Sequence, residues 1–191
     1  MKIIFATQNQ NKANEINNLM PKGIEVVSLM DLNYKDELEE TSDTLSGNAE
    51  QKAKFIFEKF KLPCFADDTG LLVEALDDEP GVYSARYAGD ERNDQANMNL
   101  VLRKLNGETN RAAKFKTVIA YCDASGTEFY SGEIKGEIIE EKRGKEGFGY
   151  DPIFMPENSE LTFAEMSVNE KNEISHRSRA FKKFLSKFYN S

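Results

Sequence analysis

The longest extended pattern in the chain lies between residues 112 and 141, "AAKFKTVIAYCDASGTEFYSGEIKGEIIEE". It is interrupted at 123–126 by "DASG", a composition that suits a tight turn between two strands. The segment therefore predicts a hairpin of two long antiparallel strands. Because patterns of helical period stand before and after this hairpin, the predicted fold class is mixed α/β.

The other predicted elements alternate in type along the chain. Short apolar runs predict strands at 2–6, 24–29, 62–66 and 70–76. Apolar residues at helical spacing predict helices at 11–20, 45–60 and 93–105, and a last helix that starts near Ser175. Residues 31–47 are polar and predict a loop.

Length, composition and charge limit the function. A chain of 191 residues, 39% hydrophobic and 30% charged, is long enough for one sizeable core, so we expect a single domain over 1–191. No apolar run approaches the roughly 20 residues of a membrane span, and no secretory leader is present, so we expect a cytoplasmic protein without a membrane partner. The net charge of −8 argues against a nucleic-acid partner but does not exclude a small phosphate ligand.

Cysteine and histidine usage argues against a zinc site. Cys64 and Cys122 lie far apart in apolar runs and have no metal-ligand spacing, so we expect reduced thiols in the core. His176 is the single histidine of the sequence. Any bound metal is therefore expected to be a hard cation held by carboxylate oxygens.

Two adjacent acids, Asp67 and Asp68, follow the apolar run of the sequence "CFADDTGL". One interpretation is a turn that needed polar residues. The other is a cation site, because two buried like charges would raise a pKa or require a compensating cation. A divalent metal would meet that requirement, and a nearby carboxylate could take a proton from water.

Two further segments combine amides with lysines. The sequence "TQNQNK" at 7–12 stands where a strand meets a helix, a position that favours phosphate, although a polar turn with a solvated lysine would look the same. Asn48 and Lys52 are four residues apart and share one face of the helix predicted at 45–60. They could bind a ligand or be ordinary solvated side chains.

An aromatic loop and a basic helix start complete the set of polar segments. Gly147 and Gly149 flank Phe148, whose ring could stack on a planar base or fold into the core. His176 and Arg177 lie in the first turn of the last helix, where positive charge opposes the helix dipole. A bound anion or polar ligand would offset that small cost.

Six motifs stand in a characteristic order: "TxNxxK", "EET…NAxxKA", "ADDTGL", "PGVYSARYAG", "GFGYDPIF" and "EKNxISHR". Together they resemble the inosine triphosphate pyrophosphatase family, the dITP/XTP pyrophosphatases that remove deaminated purine nucleotides. The resemblance extends from residue 2 to about residue 188. It implies an elongated mixed β-sheet with flanking helices, two lobes around a central nucleotide cleft, and a homodimer.

The resemblance also implies a role for each motif residue. Asp68 would be the general base and, with Glu40, a ligand of the cofactor Mg²⁺. The triphosphate would be contacted by Thr7, Gln8, Asn9, Gln10, Asn11, Lys12, Asn48, Lys52 and Thr69. The base and sugar would be bound by Phe148, Gly149, Tyr150, Asp151, Lys171, His176 and Arg177. Water would attack the α-phosphorus of a purine nucleoside triphosphate, giving the monophosphate and pyrophosphate.

Two positions depart from the family pattern. The family commonly has Gly where this chain has Ser42, and Glu where it has Gly47. With Glu at position 47, Thr44 would begin a T-x-x-E capping box, so Gly47 is expected to remove half of that box at a cost of about 1 kcal/mol. We therefore expect a looser loop on the metal side of the site.

Three other functions compete with this interpretation. A Maf-type pyrophosphatase would share the architecture but prefer other modified nucleotides, and the sequences "GFGYDPIF" and "SHR" argue against it. A phosphatase would release orthophosphate stepwise. A non-catalytic nucleotide-binding protein would need no paired acids.

Overall fold

The computed structural model describes residues 2–9, 12, 13, 16 and 20–189, and only the backbone of Tyr189. Six strands form one sheet in the order β2-β1-β3-β4-β5-β6. Their bounds are β1 Lys2–Phe5, β2 Glu25–Ser28, β3 Cys64–Val73, β4 Ala112–Asp123, β5 Gly126–Ile138 and β6 Phe154–Pro156. The sheet is mixed, since β1 pairs in parallel with β2 and β3, whereas β5 and β6 pair antiparallel.

Four α-helices whose two ends both lie among the described residues accompany the sheet, with the bounds α1 Leu45–Phe60, α2 Asp94–Lys104, α3 Val168–Ile174 and α4 His176–Tyr189. Of the helix predicted over 11–20, the described residues 12, 13 and 16 are helical and Met20 is not. The mixed α/β class and the hairpin of β4 and β5 are confirmed. None of the helices described above has the length and apolar character required to cross a membrane.

The chain divides into two compact units. The first contains the described residues up to Asp68, residues 117–132 and those from Ser178 onward, and the second contains 69–116 and 133–177. Strands β3, β4 and β5 each run from one unit into the other. That the two units form a single functional domain stays a prediction.

The core of the first unit lies on both faces of β1 and β3. Phe5 stacks on Phe65 with ring centroids 4.5 Å apart, and Phe184 packs on the same ring at 4.9 Å. On the other side, the apolar face of α1 packs through Ala49, Ala53 and Ile56. Both cysteines are buried thiols of this core, as predicted, and burial raises the pKa of Cys64 to about 12.

The core of the second unit is built mainly from aromatic rings. Phe115, Phe154 and Phe163 pack against one another with ring centroids 4.7 to 6.0 Å apart. Helix α2 covers this cluster with Met98 and Val101, which are fully buried. This core fixes α2 in place beside the segments that carry the polar residues of the second unit.

Strand β3 corrects the prediction of two strands separated by an acidic turn. Asp67 and Asp68 lie inside a continuous strand that runs from Cys64 to Val73 and is buried along most of its length. Asp is a poor strand residue, but each of these carboxylates has a cationic partner from a distant part of the chain. Those partners offset the cost of placing two adjacent negative charges inside a buried strand.

Candidate functional site

The two adjacent acids have separate lysine partners. Asp67 Oδ2 lies 3.0 Å from the ammonium of Lys12, and Asp68 Oδ1 lies 3.6 Å from that of Lys52. Successive side chains of a strand point to opposite faces, so these two carboxylates, although adjacent in sequence, lie on opposite faces of β3. Both are buried, and the pairing explains how a strand tolerates them side by side.

Lys52 is the centre of the polar cluster in the first unit. Its ammonium donates to Glu40 Oε1 at 2.6 Å and to the backbone oxygen of Asp67 at 2.8 Å. Burial lowers the pKa of Lys52, but the carboxylates of Asp68, Glu40 and Asp67 outweigh burial and raise it overall. The lysine is therefore charged, and the interpretation of Lys52 as a solvated surface residue was wrong.

Asp68 lies in an environment that favours a proton acceptor. Burial raises the pKa of Asp68 more than either Lys52 or Lys12 lowers it, and with the neighbouring acids Glu40 and Asp67 the net shift is upward. Asn48, itself buried, donates its side-chain amide to Asp68 Oδ2 at 3.3 Å and fixes the carboxylate. A buried carboxylate with a raised pKa, held in one orientation, is suited to take a proton from a nearby water.

The residues of this cluster also fit a magnesium ion. In the part of the chain that the structure describes, no three His, Cys, Asp or Glu side chains are arranged as a metal site. Mg²⁺ usually needs one or two carboxylates and takes its other ligands from water and substrate phosphates. Glu40 and Asp68 supply two hard oxygen donors, and both carboxylates also contact the Lys52 ammonium.

The segment that carries Glu40 is tied to the first turns of α1. Gln51 Oε1 accepts the backbone N–H of Thr41 at 3.1 Å, and Asn48 Oδ1 accepts that of Ser42 at 2.9 Å. Asn48 thus links this segment to Asp68. No local pattern singles out Gln51, because its contact reaches Thr41, a loop residue ten positions away.

The start of α1 corrects the expectation of a damaged cap. Thr44 accepts the N–H of Gly47 at 3.0 Å, as an N-cap should, and the hydroxyl of Ser42 accepts the N–H of Thr44 at 3.2 Å. In a capping box the side chain at position 47 would accept that second N–H. Ser42 supplies the acceptor instead, so the two departures from the family pattern compensate each other.

The segment 7–12 connects β1 to a helical stretch, as predicted. Thr7 is buried and accepts the N–H of Asn9 at 3.1 Å, and Asn9 accepts the N–H of Lys12 at 3.2 Å. The side chain of Gln8 donates to the backbone oxygen of Asp36 at 2.8 Å. Gln10 and Asn11 lie outside the described residues, so their predicted phosphate contacts stay predictions.

A second polar cluster surrounds Phe148 in the second unit. Asp151 Oδ2 accepts from the ammonium of Lys171 and from the backbone N–H of Phe148, both at 2.8 Å. Gly147 has a φ of +76°, and a β-carbon there would stand 2.1 Å from the same carboxylate oxygen. The loop can make this close turn only with glycine at that position.

The ring of Phe148 is half-buried and lies near two cations. The Lys171 ammonium is 4.9 Å and the Arg177 guanidinium 5.5 Å from its centroid. Phe154 and Phe163 are by contrast fully buried. The alternative that Phe148 folds into the core is therefore wrong, and part of its ring remains accessible for stacking.

The other residues predicted to bind base or phosphate are buried to different degrees and contact different parts of the second unit. Arg177 is buried and its guanidinium lies 3.5 Å from the hydroxyl of Thr69, while the ring of His176 stacks on Phe115 at 4.6 Å. Tyr150 lies in the core, and its hydroxyl donates to the backbone oxygen of Ser84 at 2.7 Å. The side chain of Tyr150 thus supports the loop from the core side.

Comparison with known proteins agrees with the family resemblance. The model of the Ham1 family matches residues 3–187. The dITP/XTP pyrophosphatase of Christiangramia forsetii is 51% identical, covering 97% of each chain. That of Porphyromonas gingivalis is 51% identical over 94% of this chain and 93% of the relative. The structure of a HAM1 protein from Coxiella burnetii has a TM-score of 0.92 at 36% identity and covers 100% of both chains. The resemblance inferred from the six motifs is thereby confirmed, and the chain belongs to the Ham1 family.

Proposed function

We propose that this protein hydrolyses deaminated purine nucleoside triphosphates, ITP, XTP and their deoxy forms, to the monophosphate and pyrophosphate. The relatives from Christiangramia forsetii and Porphyromonas gingivalis carry the name dITP/XTP pyrophosphatase. The observation that carries the proposal is the buried carboxylate of Asp68, which has a raised pKa and lies beside Lys52. Asp68 can act as a base toward water, and Lys52 beside it supplies positive charge for a phosphate.

The residues of the first unit divide the chemical work. Asp68 accepts a proton from the attacking water, and Asn48 holds its carboxylate in place. Lys52 and Lys12 contribute positive charge that a triphosphate needs on binding and on release of pyrophosphate. Mg²⁺, held by Glu40 and Asp68, would neutralise charge on the phosphate oxygens. Positioning and charge stabilisation supply most of the acceleration in phosphate transfer.

The residues of the second unit select the base. Hypoxanthine and xanthine carry an oxo group at C6, whereas adenine carries an amino group. The guanidinium of Arg177 can only donate hydrogen bonds, so it matches the oxo group and leaves the amino group of adenine unmatched. Phe148 offers a ring face for stacking, which reads no base edge. The carboxylate of Asp151 is engaged by Lys171 and by the Phe148 N–H, so it holds the loop.

A substrate panel tests this proposal directly. Purified protein is incubated with Mg²⁺ and ITP, XTP, GTP, ATP or a pyrimidine triphosphate, and pyrophosphate and orthophosphate are measured separately. We expect pyrophosphate from ITP and XTP, with GTP much lower and ATP no higher than GTP. Stepwise orthophosphate would indicate a phosphatase, and preference for pyrimidines a Maf-type enzyme. Binding of ITP without turnover would indicate a nucleotide-binding protein.

We propose further that the protein works as a cytoplasmic homodimer. This assembly is implied by the motif resemblance described above. Sedimentation equilibrium of the purified chain would test it, with a mass near twice 21.7 kDa as the expected result. A single species at the monomer mass would contradict it.

A further inference from the structure

The backbone of the loop that carries Phe148 is held by a residue of helix α2. Asp94, the first residue of that helix, accepts the backbone N–H of Gly149 through Oδ2 at 2.7 Å. The preceding N–H, of Phe148, is accepted by Asp151. Two successive amides on either side of the aromatic ring are thus fixed by two carboxylates from different elements.

Helix α2 contacts the same loop at a second point. The ammonium of Lys142 donates to Gln95 Oε1 at 2.7 Å and to Asn99 Oδ1 at 2.6 Å. The loop segment between Lys142 and Gly149 is therefore anchored near both of its ends to the first two turns of one helix. The middle of the segment is also held by Ala164, whose backbone oxygen accepts the N–H groups of Lys145 and Glu146 at 3.1 and 3.0 Å.

The helix itself is a rigid support. Asn93 caps it by accepting the N–H of Ala96 at 2.9 Å, and Met98 and Val101 are buried in the core of the second unit. Gly149, in contrast, has a φ of +62° and lies in a half-buried loop. Because the helix is held by its cap and its buried side chains, the contact from Asp94 positions the Gly149 end of the loop.

We propose that Asp94 is a positioning residue for base recognition, which rests on the function proposed above. By fixing the Gly149 amide, Asp94 sets the direction in which the ring of Phe148 leaves the loop. The residue touches neither Asp68 nor Lys52 of the first unit in any contact described, so its effect falls on binding of the base and not on the attack at phosphorus.

Three variants separate this role from a general effect on the helix. Asp94→Ala removes the acceptor, whereas Asp94→Asn removes the charge but keeps an oxygen that can accept the same N–H. Asp90→Ala removes the same charge from an exposed residue shortly before the helix. If Asp94 served only the helix dipole, its two variants would behave alike.

Steady-state kinetics with ITP and inhibition by tripolyphosphate, a probe without a base, provide the first readout. For Asp94→Ala we expect KM for ITP to rise about tenfold, the effect of losing one hydrogen bond, with kcat changed less than about twofold. Inhibition by tripolyphosphate should be unchanged. Asp94→Asn and Asp90→Ala should stay within about threefold of the wild-type KM. Two outcomes would overturn the proposal. One is an equal rise in KM for Asp94→Ala and Asp94→Asn. The other is a weakening of tripolyphosphate inhibition in Asp94→Ala by the same factor as its KM for ITP rises.

Exchange of the Gly149 amide proton, measured by NMR without nucleotide, gives a second readout that needs no activity. We expect faster exchange in Asp94→Ala than in the wild type and in Asp90→Ala. An unchanged rate would show that Asp94 does not hold this amide and would end the proposal. Failure of the proposed function can be told apart from failure of the Asp94 proposal, because in the first case the wild-type protein itself would release no pyrophosphate from ITP.

Discussion

The hydroxyl oxygen of Ser42 stands 2.0 Å from the place where a β-carbon at position 47 would lie. A β-carbon at position 47 would collide mainly with Ser42 and, at 2.9 Å, also approach Thr44 Oγ1. The Ser42 hydroxyl fills the space and the hydrogen-bonding role of the absent side chain. The pair holds the end of the segment that carries Glu40 against α1. A change at either position should therefore depend on the residue at the other.

This coupling predicts a non-additive effect on stability. Gly47→Glu alone should lower the free energy of unfolding by about 1–3 kcal/mol, because Ser42 must move away. In a Ser42→Gly background the same change should be neutral or stabilising, since Glu at position 47 can then accept the Thr44 N–H. Urea denaturation of the wild type, both single variants and the double variant measures the coupling. Ser46→Glu, on the exposed side of the same turn, controls for the added charge, and additive effects would contradict the coupling.

Asp68→Asn should separate catalysis from folding. The change keeps the shape of the side chain but removes the proton acceptor, so we expect turnover of ITP to fall at least about 10²-fold. The fold should be retained, because one buried negative charge is lost. Asp67→Asn, one residue earlier and paired with Lys12, is the matched control and should lose much less. Near-native turnover of purified Asp68→Asn would remove Asp68 from its assigned role.

The raised pKa of Asp68 also predicts how stability depends on pH. Its folded pKa lies above the unfolded value because burial dominates. The stability that this gives is fully present below the unfolded pKa and is lost as pH rises through the folded pKa. In metal-free buffer, Asp68→Asn should therefore gain stability relative to the wild type as pH rises through that window. A difference in unfolding free energy that is constant with pH would show that the pKa is not raised.

Glu40→Gln should weaken the response to magnesium more than it weakens catalysis at saturation. Glu40 is half-buried and accepts from Lys52 at 2.6 Å, and its amide counterpart is a poorer ligand for a hard cation. We expect half-maximal activity at a Mg²⁺ concentration about tenfold higher, with partial recovery at high Mg²⁺. Glu39→Gln, its exposed neighbour, should leave the Mg²⁺ dependence unchanged. Identical Mg²⁺ curves for all three proteins would exclude Glu40 as a ligand.

Arg177→Leu should reduce discrimination between bases. The guanidinium lies near Phe148 and Thr69, and its loss should lower activity on ITP far more than activity on ATP. A site that pairs its donors with one base can reject another by about 10⁴-fold, so the ratio of kcat/KM values is the measurement. Phe148→Ala should weaken both substrates alike, and Arg179→Leu, on the exposed side of α4, should alter neither. An equal loss on ITP and ATP would make Arg177 a phosphate contact.

The elements predicted well from the sequence were those with a strong local signal. Helix α1 was predicted at 45–60 and runs over those residues, because its apolar spacing is regular and Thr44 provides a cap. Helix α3 was missed, although Ser167 and Glu170 form a capping box that the sequence "SVNE" displays. That signal is local and could have been used.

Other features depend on contacts that local sequence does not show. The continuity of β3 through Asp67 and Asp68 depends on Lys12 and Lys52, which approach from other segments. The contact between Asp94 and Gly149 joins residues 55 positions apart. The residue types in the two clusters were predictable from the motifs, whereas the residues that orient them required the fold.

Lys52 has a consequence for when the enzyme can be active. Its ammonium already balances the carboxylates of Glu40 and Asp68 within the folded chain, so the resting protein does not depend on a metal to hold those acids together. On the function proposed above, a nucleotide that arrives with bound magnesium would deliver the metal and the substrate in one binding event. We therefore expect the fold of the resting protein to be insensitive to the concentration of free magnesium.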